Sequence, residues 1–231
     1  MRDKVENWKA YPFNIAAISQ LDRLELHPRV TFFVGENGSG KSTLVEAIAI
    51  RAGFNPEGGT KNFRSSHRPS ESSLQNYVRL ARGARREQSG FFLRAETMFN
   101  VSTEAEQYAA YGWADLHEMS HGEAFLWVAK NKFRDGGLFI LDEPEAALSP
   151  QRQLALLVRI HQLVQAGSQL VISTHSPILL AYPAATIFLL DRTGIHPTRY
   201  EDTEHYAITR AFLQDPAGRI RQLLADAEVE S

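Results

Sequence analysis

The sequence predicts an α/β fold: a mostly parallel sheet flanked by helices, with a small antiparallel flap and a helical insertion. Two observations carry this expectation. Compact apolar runs, Arg29 to Val34, Leu138 to Leu141 and Gln169 to Thr174, read as strands buried on both faces. Segments with helical apolar spacing alternate with them along the chain, as a parallel sheet requires. A third observation bounds the architecture: 231 residues suffice for one large domain with a substantial core, or a core domain with a small inserted lobe.

In chain order, Phe13 to Ile18 and Arg23 to Leu26 read as two short strands around a polar turn, the expected flap. Arg29 to Val34 is a buried strand ending at Gly35. Ser42 to Ala52 follows as a helix, with Leu44, Val45, Ile48 and Ala49 at core spacing and Gly53 as its stop. From Asn55 to about Ser89 the character changes, with seven Lys or Arg against two Glu between Gly58 and Ser89. That stretch reads as an insertion with a basic helix, so residues 55–125 are expected to form a lobe inserted into a single domain spanning 1–231. Strand Gly90 to Arg94, a Thr- and Glu-rich loop and a helix from Gly122 to Phe133 lead to the strand at Leu138. A helix near Pro150 to Gln165, then strands Gln169 to Thr174, Thr186 to Leu190 and Ile195 to Tyr200, complete the sheet.

Hydrophobic residues make up 43% and charged residues 23% of the chain, the values of an ordinary globular protein. A net charge of -2 gives no global attraction to nucleic acid or anionic membrane, so any such contact needs a local patch. The absence of cysteine excludes disulfide scaffolds and cysteine nucleophiles. No segment approaches the roughly 18 apolar residues of a membrane span, and the start MRDKVENWKAYPF lacks a secretory apolar core. A cytoplasmic location is expected.

Gly35, Glu36, Asn37, Gly38, Ser39, Gly40, Lys41 and Ser42 fit G-x-x-x-x-G-K-[ST], between a predicted strand and a predicted helix. Glycines let the backbone wrap closely, so that successive N–H groups and a helix N-terminus face phosphate oxygens. Lys41 is expected to reach the β- and γ-phosphates, and the Ser42 hydroxyl to ligate Mg2+. The motif thus points to binding of ATP with magnesium.

Asp142 and Glu143 follow an apolar strand. A metal-shell aspartate with a water-polarising glutamate is one reading; a carboxylate pair stabilised by a helix dipole ahead of Pro144 is the other. His175 closes the next buried strand, on the sheet edge expected to hold the phosphates, where an imidazole can bond a γ-phosphate oxygen. Ser120 and Glu123 form a capping box, and a Ser and Gly at a helix start also make an anion site. His117 and His121 match H-E-x-x-H, but Ser120 and Gly122 read as a helix start, which places His117 before the helix and argues against a zinc protease.

The ordered set GENGSGKST, SHGE, LFILDEP, Ser149-Pro150 and STHSP resembles the ABC-type ATPases, in particular stand-alone soluble ones grouped with AAA and SMC/RecF-like proteins. The resemblance runs from about Phe13 to Tyr200 and implies a P-loop NTPase of ABC head-domain type. It implies that the loop through Thr43 binds nucleotide, that Ser120 and Gly122 touch the γ-phosphate of a nucleotide bound to a second subunit, and that ATP drives a homodimer. It also implies Glu143 as general base with Lys41 and His175 in the hydrolytic site, Asp142 with Ser42 at Mg2+, and Ala147 to Ser149 as a loop linking the two sites. The usual signature LSGGQ is here Met119-Ser-His-Gly-Glu, and the Mg-ligating Gln is replaced near Arg94-Ala95-Glu96. Glu96 fits either a metal ligand or the core periphery. Trp8, Tyr11 and Phe13 are the candidates to stack on adenine. The sequence leaves no room for a coiled coil between Lys41 and Asp142, and no nuclease domain is expected after the sheet. Three roles stay open: a DNA-linked ATPase of repair or defence using the basic stretch 61–86 to hold DNA or a partner protein, the ATP-binding subunit of a transporter, and a nucleotide-gated interaction module.

Overall fold

The computed structural model describes residues 5–61, 72–83, 87, 89–95 and 119–229. Among them, strands β1 (Val30–Val34), β2 (Gly90–Arg94), β3 (Leu138–Asp142), β4 (Gln169–Ser173), β5 (Thr186–Asp191) and β6 (Gly194–Thr198) form one sheet in the order β2-β3-β4-β1-β5-β6. All neighbours pair parallel except β5 and β6. The helices are α1 (Ala16–Ser19), α2 (Lys41–Ala52), α3 (His121–Asn131), α4 (Pro150–Gln165), α5 (Pro177–Leu180), α6 (Glu204–Gln214) and α7 (Pro216–Val229).

The inner stretches of β1 to β4 are mostly apolar and buried because both faces of the sheet are covered. Alternation along β1 sends Val30, Phe32 and Val34 to one core, with α3, α4 and α5, and Phe33 to the other, with α1 and α2. Phe91, Leu93, Phe139, Leu141, Leu170 and Ile172 join the first core; Phe92, Ile140 and Val171 join the second. Phe133 and Phe139 stack at 4.4 Å between centroids. Burying each such side chain contributes about 1.5–3 kcal/mol. This two-faced core fixes the strand ends at one edge, where β1 runs into the loop at Gly35 and β3 and β4 end at Asp142 and Ser173, paired in register.

The start of the chain departs from the expected flap. Residues 13–18 form turns and α1 rather than a strand, 23–26 join no strand, and the sheet's antiparallel pair is β5 with β6. The local reason is packing: a helical turn lets both Ala17 and Ile18 enter the core on the α2 side, which an extended chain would send to opposite faces. Beyond Tyr200, where the sequence offered no element, α6 and α7 form a helical pair with Ile208, Phe212, Leu213, Ile220, Leu223 and Leu224 exposed.

Much of 55–125, including Arg85, Arg86, Glu96 and His117, lies outside the described residues. Its described part holds one 3-10 turn, Ser73–Asn76, whose Leu74 is buried against α2, while residues 78–83 are not helical. Gly59 bridges Phe92 on β2. Two basic residues of the stretch have local partners. Arg82 donates to the carbonyls of Arg51 and Ala52 at the C-terminus of α2, 3.2 and 3.1 Å away, and pairs with Glu87, as does Lys61. A guanidinium there satisfies end carbonyls and complements the helix dipole. Arg82→Ala is expected to cost about 1 kcal/mol, lowering the melting temperature by roughly 2–4 °C in a thermal scan; an unchanged melting point would free Arg82 for an external ligand.

Candidate functional site

The phosphate loop joins β1 to α2. Gly35 has φ +148°, and a Cβ there would lie 2.3 Å from the Leu190 carbonyl oxygen on β5, so the loop leaves the strand through a space only glycine fits. Glu36, Asn37 and Gly38 form its exposed crest. Ser39 N–H donates to the Glu36 carbonyl at 3.2 Å, while the buried Ser39 hydroxyl has no hydrogen-bond partner. Gly40, the N-cap of α2, supplies no side-chain cap, so the first-turn donors at Lys41, Ser42 and Thr43 stay open to an anion. Lys41 is buried; its ammonium donates back to the carbonyls of Gly35 at 2.8 Å and Glu36 at 3.0 Å. Burial holds its pKa below the ordinary lysine value, opposed by the attraction of Glu143, Asp142 and Glu145.

The ends of β3 and β4 are laced together. The Ser173 hydroxyl donates to Asp142, and Glu143 N–H donates to the Ser173 carbonyl at 3.1 Å. Glu143 takes a left-handed conformation, φ 49° and ψ 52°, costly for a non-glycine residue and kept where the surroundings over-determine it. Glu145, in the 3-10 turn Pro144–Ala147, accepts from the Thr174 hydroxyl at 2.7 Å and from His175 N–H at 2.5 Å. Burial raises its pKa against those bonds. The turn thereby fixes the backbone of His175, whose Nε2 lies 3.5 Å from Glu143 Oε1. Burial, then Lys41 and His205, depress the His175 pKa to about 4, so its ring is neutral near pH 7.

Asp142 also faces Arg94, Nε to Oδ2 at 3.4 Å, and Arg94 Nη1 donates to Glu46 at 2.9 Å. Among the described residues no cluster of three or more His, Asp or Glu could by itself hold a metal.

Ser120 is the N-cap of α3 and the capping box is formed: Glu123 N–H donates to Ser120 Oγ at 3.4 Å, and Ser120 N–H to Glu123 Oε2 at 2.9 Å. His117 precedes this helix in the chain. Arg152 of α4 donates to Ser120 Oγ at 3.2 Å and to Glu123 at 3.0 Å. Gly122 is needed for a close approach, since a Cβ would sit 2.7 Å from the Ala147 carbonyl oxygen. Gly122 thus rests on the segment 147–149, while the hydrogen bonds of Ser120 run to α3 and α4 rather than to the phosphate loop. Of the aromatic candidates, Phe13 is buried edge-on to Tyr77 and Trp8 packs edge-on to Phe13. Tyr11 is 59% exposed, with its hydroxyl 3.0 Å from Thr43 Oγ1.

Two family profiles, both described as AAA domains, match this chain over residues 4–110 and 116–181, the second carrying the AbiEii toxin, type IV toxin–antitoxin description. The chain resembles the ABC-type P-loop ATPases. An ABC transporter ATP-binding protein of Haemophilus influenzae is 26% identical to this ATPase over 190 residues, 71% of the chain and 70% of the relative. The energy-coupling factor transporter ATP-binding protein EcfA2 of Methanospirillum hungatei is 24% identical, covering 90% of the chain and 58% of the relative, so the ATPase spans little more than half of that protein. A solved structure of cbiO1 from Clostridium perfringens, part of the transporter complex cbiONQ, overlaps 86% of the ATPase and 88% of that chain at TM-score 0.43 and 17% identity. No helix among the described residues is long and apolar enough to cross a membrane.

Sequence reasoning missed Glu145, Arg94, Arg152 and His205. Arg94 becomes legible once β2 is known to pair with β3, which sets it beside Asp142. His205 had no signal, because it lies on α6, outside every motif.

Proposed function

We propose that the ATPase binds Mg-ATP in the loop Gly35–Thr43, with Glu143 as the general base, and that ATP draws two copies into a head-to-tail homodimer. In this reading Ser120 and Gly122 of one copy complete the phosphate site of the other. The observation that carries it is the convergence on Lys41: a buried ammonium hung across the loop by two carbonyls, attracted by Asp142, Glu143 and Glu145 from the adjoining strand end. A buried cation so placed is a ready counter-charge for a phosphate.

The open N–H groups of α2 and the unpartnered Ser39 hydroxyl would orient phosphate oxygens. Lys41 would leave the loop carbonyls for the β- and γ-phosphates, and the exposed ring of Tyr11 would stack on adenine. Ser42 and Asp142 would hold magnesium, which would supply charge neutralisation on those phosphates. Glu143, aimed by its left-handed backbone, would take a proton from the attacking water, with the neutral His175 at 3.5 Å bonding the γ-phosphate side. The capping box occupies the N–H groups of Ser120 and Glu123, so the remaining first-turn donors, at His121 and Gly122, would serve a second copy's phosphate. The whole range 1–231 then acts as one ATPase domain with 55–125 inserted, working in the cytoplasm.

Purified protein given ATP and Mg2+ is expected to release phosphate, to stop in EDTA and to resume on adding Mg2+. Turnover that persists in EDTA would contradict the role of Ser42 and Asp142. A second reading, a subunit that drives a transporter, is favoured by the names of the two relatives. Co-purification of an integral membrane protein from native cells would establish it, whereas nucleic acid in its place would favour the DNA-linked role of the 61–86 stretch.

A further inference from the structure

The structure assigns a positioning role to His205: we propose that its Nε2–H donates to His175 Nδ1 and so holds His175 in the Nε2–H form, with that hydrogen directed at Glu143 and the γ-phosphate position. The proposal deepens the reading of His175 as a phosphate-side group and rests on it.

The two ring nitrogens are 2.7 Å apart, with ring centroids at 4.9 Å. At that separation one hydrogen, and only one, lies between them when both rings are neutral. Both rings are held below the ordinary histidine pKa, each by burial first and Lys41 next, which disfavours a second proton on the pair. Two arrangements remain, and the far side of His175 distinguishes them. Its Nε2 is buried, has no hydrogen-bond partner, and lies 3.5 Å from Glu143 Oε1. Were the hydrogen on His175 Nδ1, Nε2 would present a bare lone pair to a carboxylate and, with nucleotide bound, to phosphate oxygens: acceptor against acceptor. With His205 as donor, Nε2 carries the hydrogen and both contacts become attractive.

The approach of His205 is built rather than incidental. Tyr200 donates from its hydroxyl to the Pro177 carbonyl at 3.0 Å, tying the entry of α6 to the first residue of α5, just after His175. Thr203 is the buried N-cap of α6; its oxygen accepts from Tyr206 N–H at 3.4 Å, and its hydroxyl donates to the Tyr200 carbonyl at 2.7 Å. Tyr200 and Tyr206 pack at 4.5 Å between centroids. His205 thus sits on the first turn of a helix anchored at both its cap and the start of α5. Two features separated by 30 residues in the chain are thereby brought to hydrogen-bond distance.

The test compares His205→Gln with His205→Glu. Gln can donate to His175 Nδ1; an ionised Glu can only accept, which forces the hydrogen onto Nδ1. Nitrogen-15 spectra of imidazole-labelled protein should show Nε2–H at His175 in the wild type and in His205→Gln, and Nδ1–H in His205→Glu. ATP affinity should be the same in all three. The kcat should stay within a few-fold of wild type for Gln and fall roughly 10–100-fold for Glu, the usual cost of losing a partner that orients a functional imidazole. Equal kcat losses in both variants, or Nδ1–H in the wild type, would overturn the proposal. The parallel variant His175→Ala keeps the two readings apart. Undiminished turnover there would remove His175 from the hydrolytic site, while the spectra would still decide what His205 does to its ring.

Discussion

Glu143→Gln is expected to lower turnover by about 10²–10⁴-fold, the contribution of a positioned general base, and to leave a protein that dimerises on ATP. Gln keeps the size of the side chain and the backbone N–H bond to Ser173, so the left-handed turn at the end of β3 has no reason to change. With the base gone, bound ATP persists. Each nucleotide then adds its binding free energy to the dimer by mass action. The variant should elute from a sizing column as a dimer with ATP and Mg2+, and as a monomer without nucleotide. Hydrolysis at the wild-type rate would remove Glu143 from its role. Adding Ser120→Arg should abolish the dimer while ATP still binds, because in a two-fold assembly Ser120 serves the partner's site. Ser120→Arg also removes a cap, at a cost of about 1 kcal/mol. Ser120→Asp is the control, since it keeps a capping oxygen while setting a carboxylate against the phosphate. It too should prevent the dimer.

Lys41→Ala is expected to abolish measurable ATP binding with little change in melting temperature. The ammonium makes charge-assisted bonds worth about 1.5–3 kcal/mol each, so losing two of them to phosphate lowers affinity by roughly 10²-fold or more. Stability should change little because two effects oppose. The carbonyls of Gly35 and Glu36 lose their donor, but the desolvation of a buried charge, which depresses the lysine pKa, is relieved at the same time. Calorimetric titration with ATP alongside a circular-dichroism melt checks both halves. Unchanged ATP affinity would exclude the loop as the binding site, and a collapsed melt would make Lys41 structural.

Where burial and local geometry agree, the architecture was legible from residues alone. The strand of Val30–Val34 is apolar on both faces because helices cover both, and the helix Pro150–Gln165 announces itself with Ser149 as cap and Pro at its first position. The capping box at Ser120 formed as its spacing implied. At the start of the chain periodicity misled. Phe13 to Ile18 alternates well enough for a strand, yet packing against α2 favours a helical turn that turns two successive residues inward. Side chains meeting through long-range pairing were invisible in principle. Arg94 faces Asp142 only because β2 and β3 pair in parallel register, and His205 meets His175 only because Tyr200 and Thr203 steer α6 across the strand ends. Lys41 shows a subtler limit, since the motif assigns its partner while the fold decides that its side chain is buried.

The central claim, one phosphate site shared by two copies, is tested most directly by mixing two inactive variants. Lys41→Ala lacks its own nucleotide site and keeps a sound Ser120; Ser120→Asp keeps its own loop and spoils its partner's site. Neither should hydrolyse ATP alone. In a mixed dimer one site joins the intact loop of the Ser120→Asp copy to the intact Ser120 of the Lys41→Ala copy. Because neither variant should pair with itself, every dimer in an equal mixture should be a mixed one with one whole site of two, restoring up to roughly half of wild-type hydrolysis. A mixture as inactive as its components would contradict the shared site.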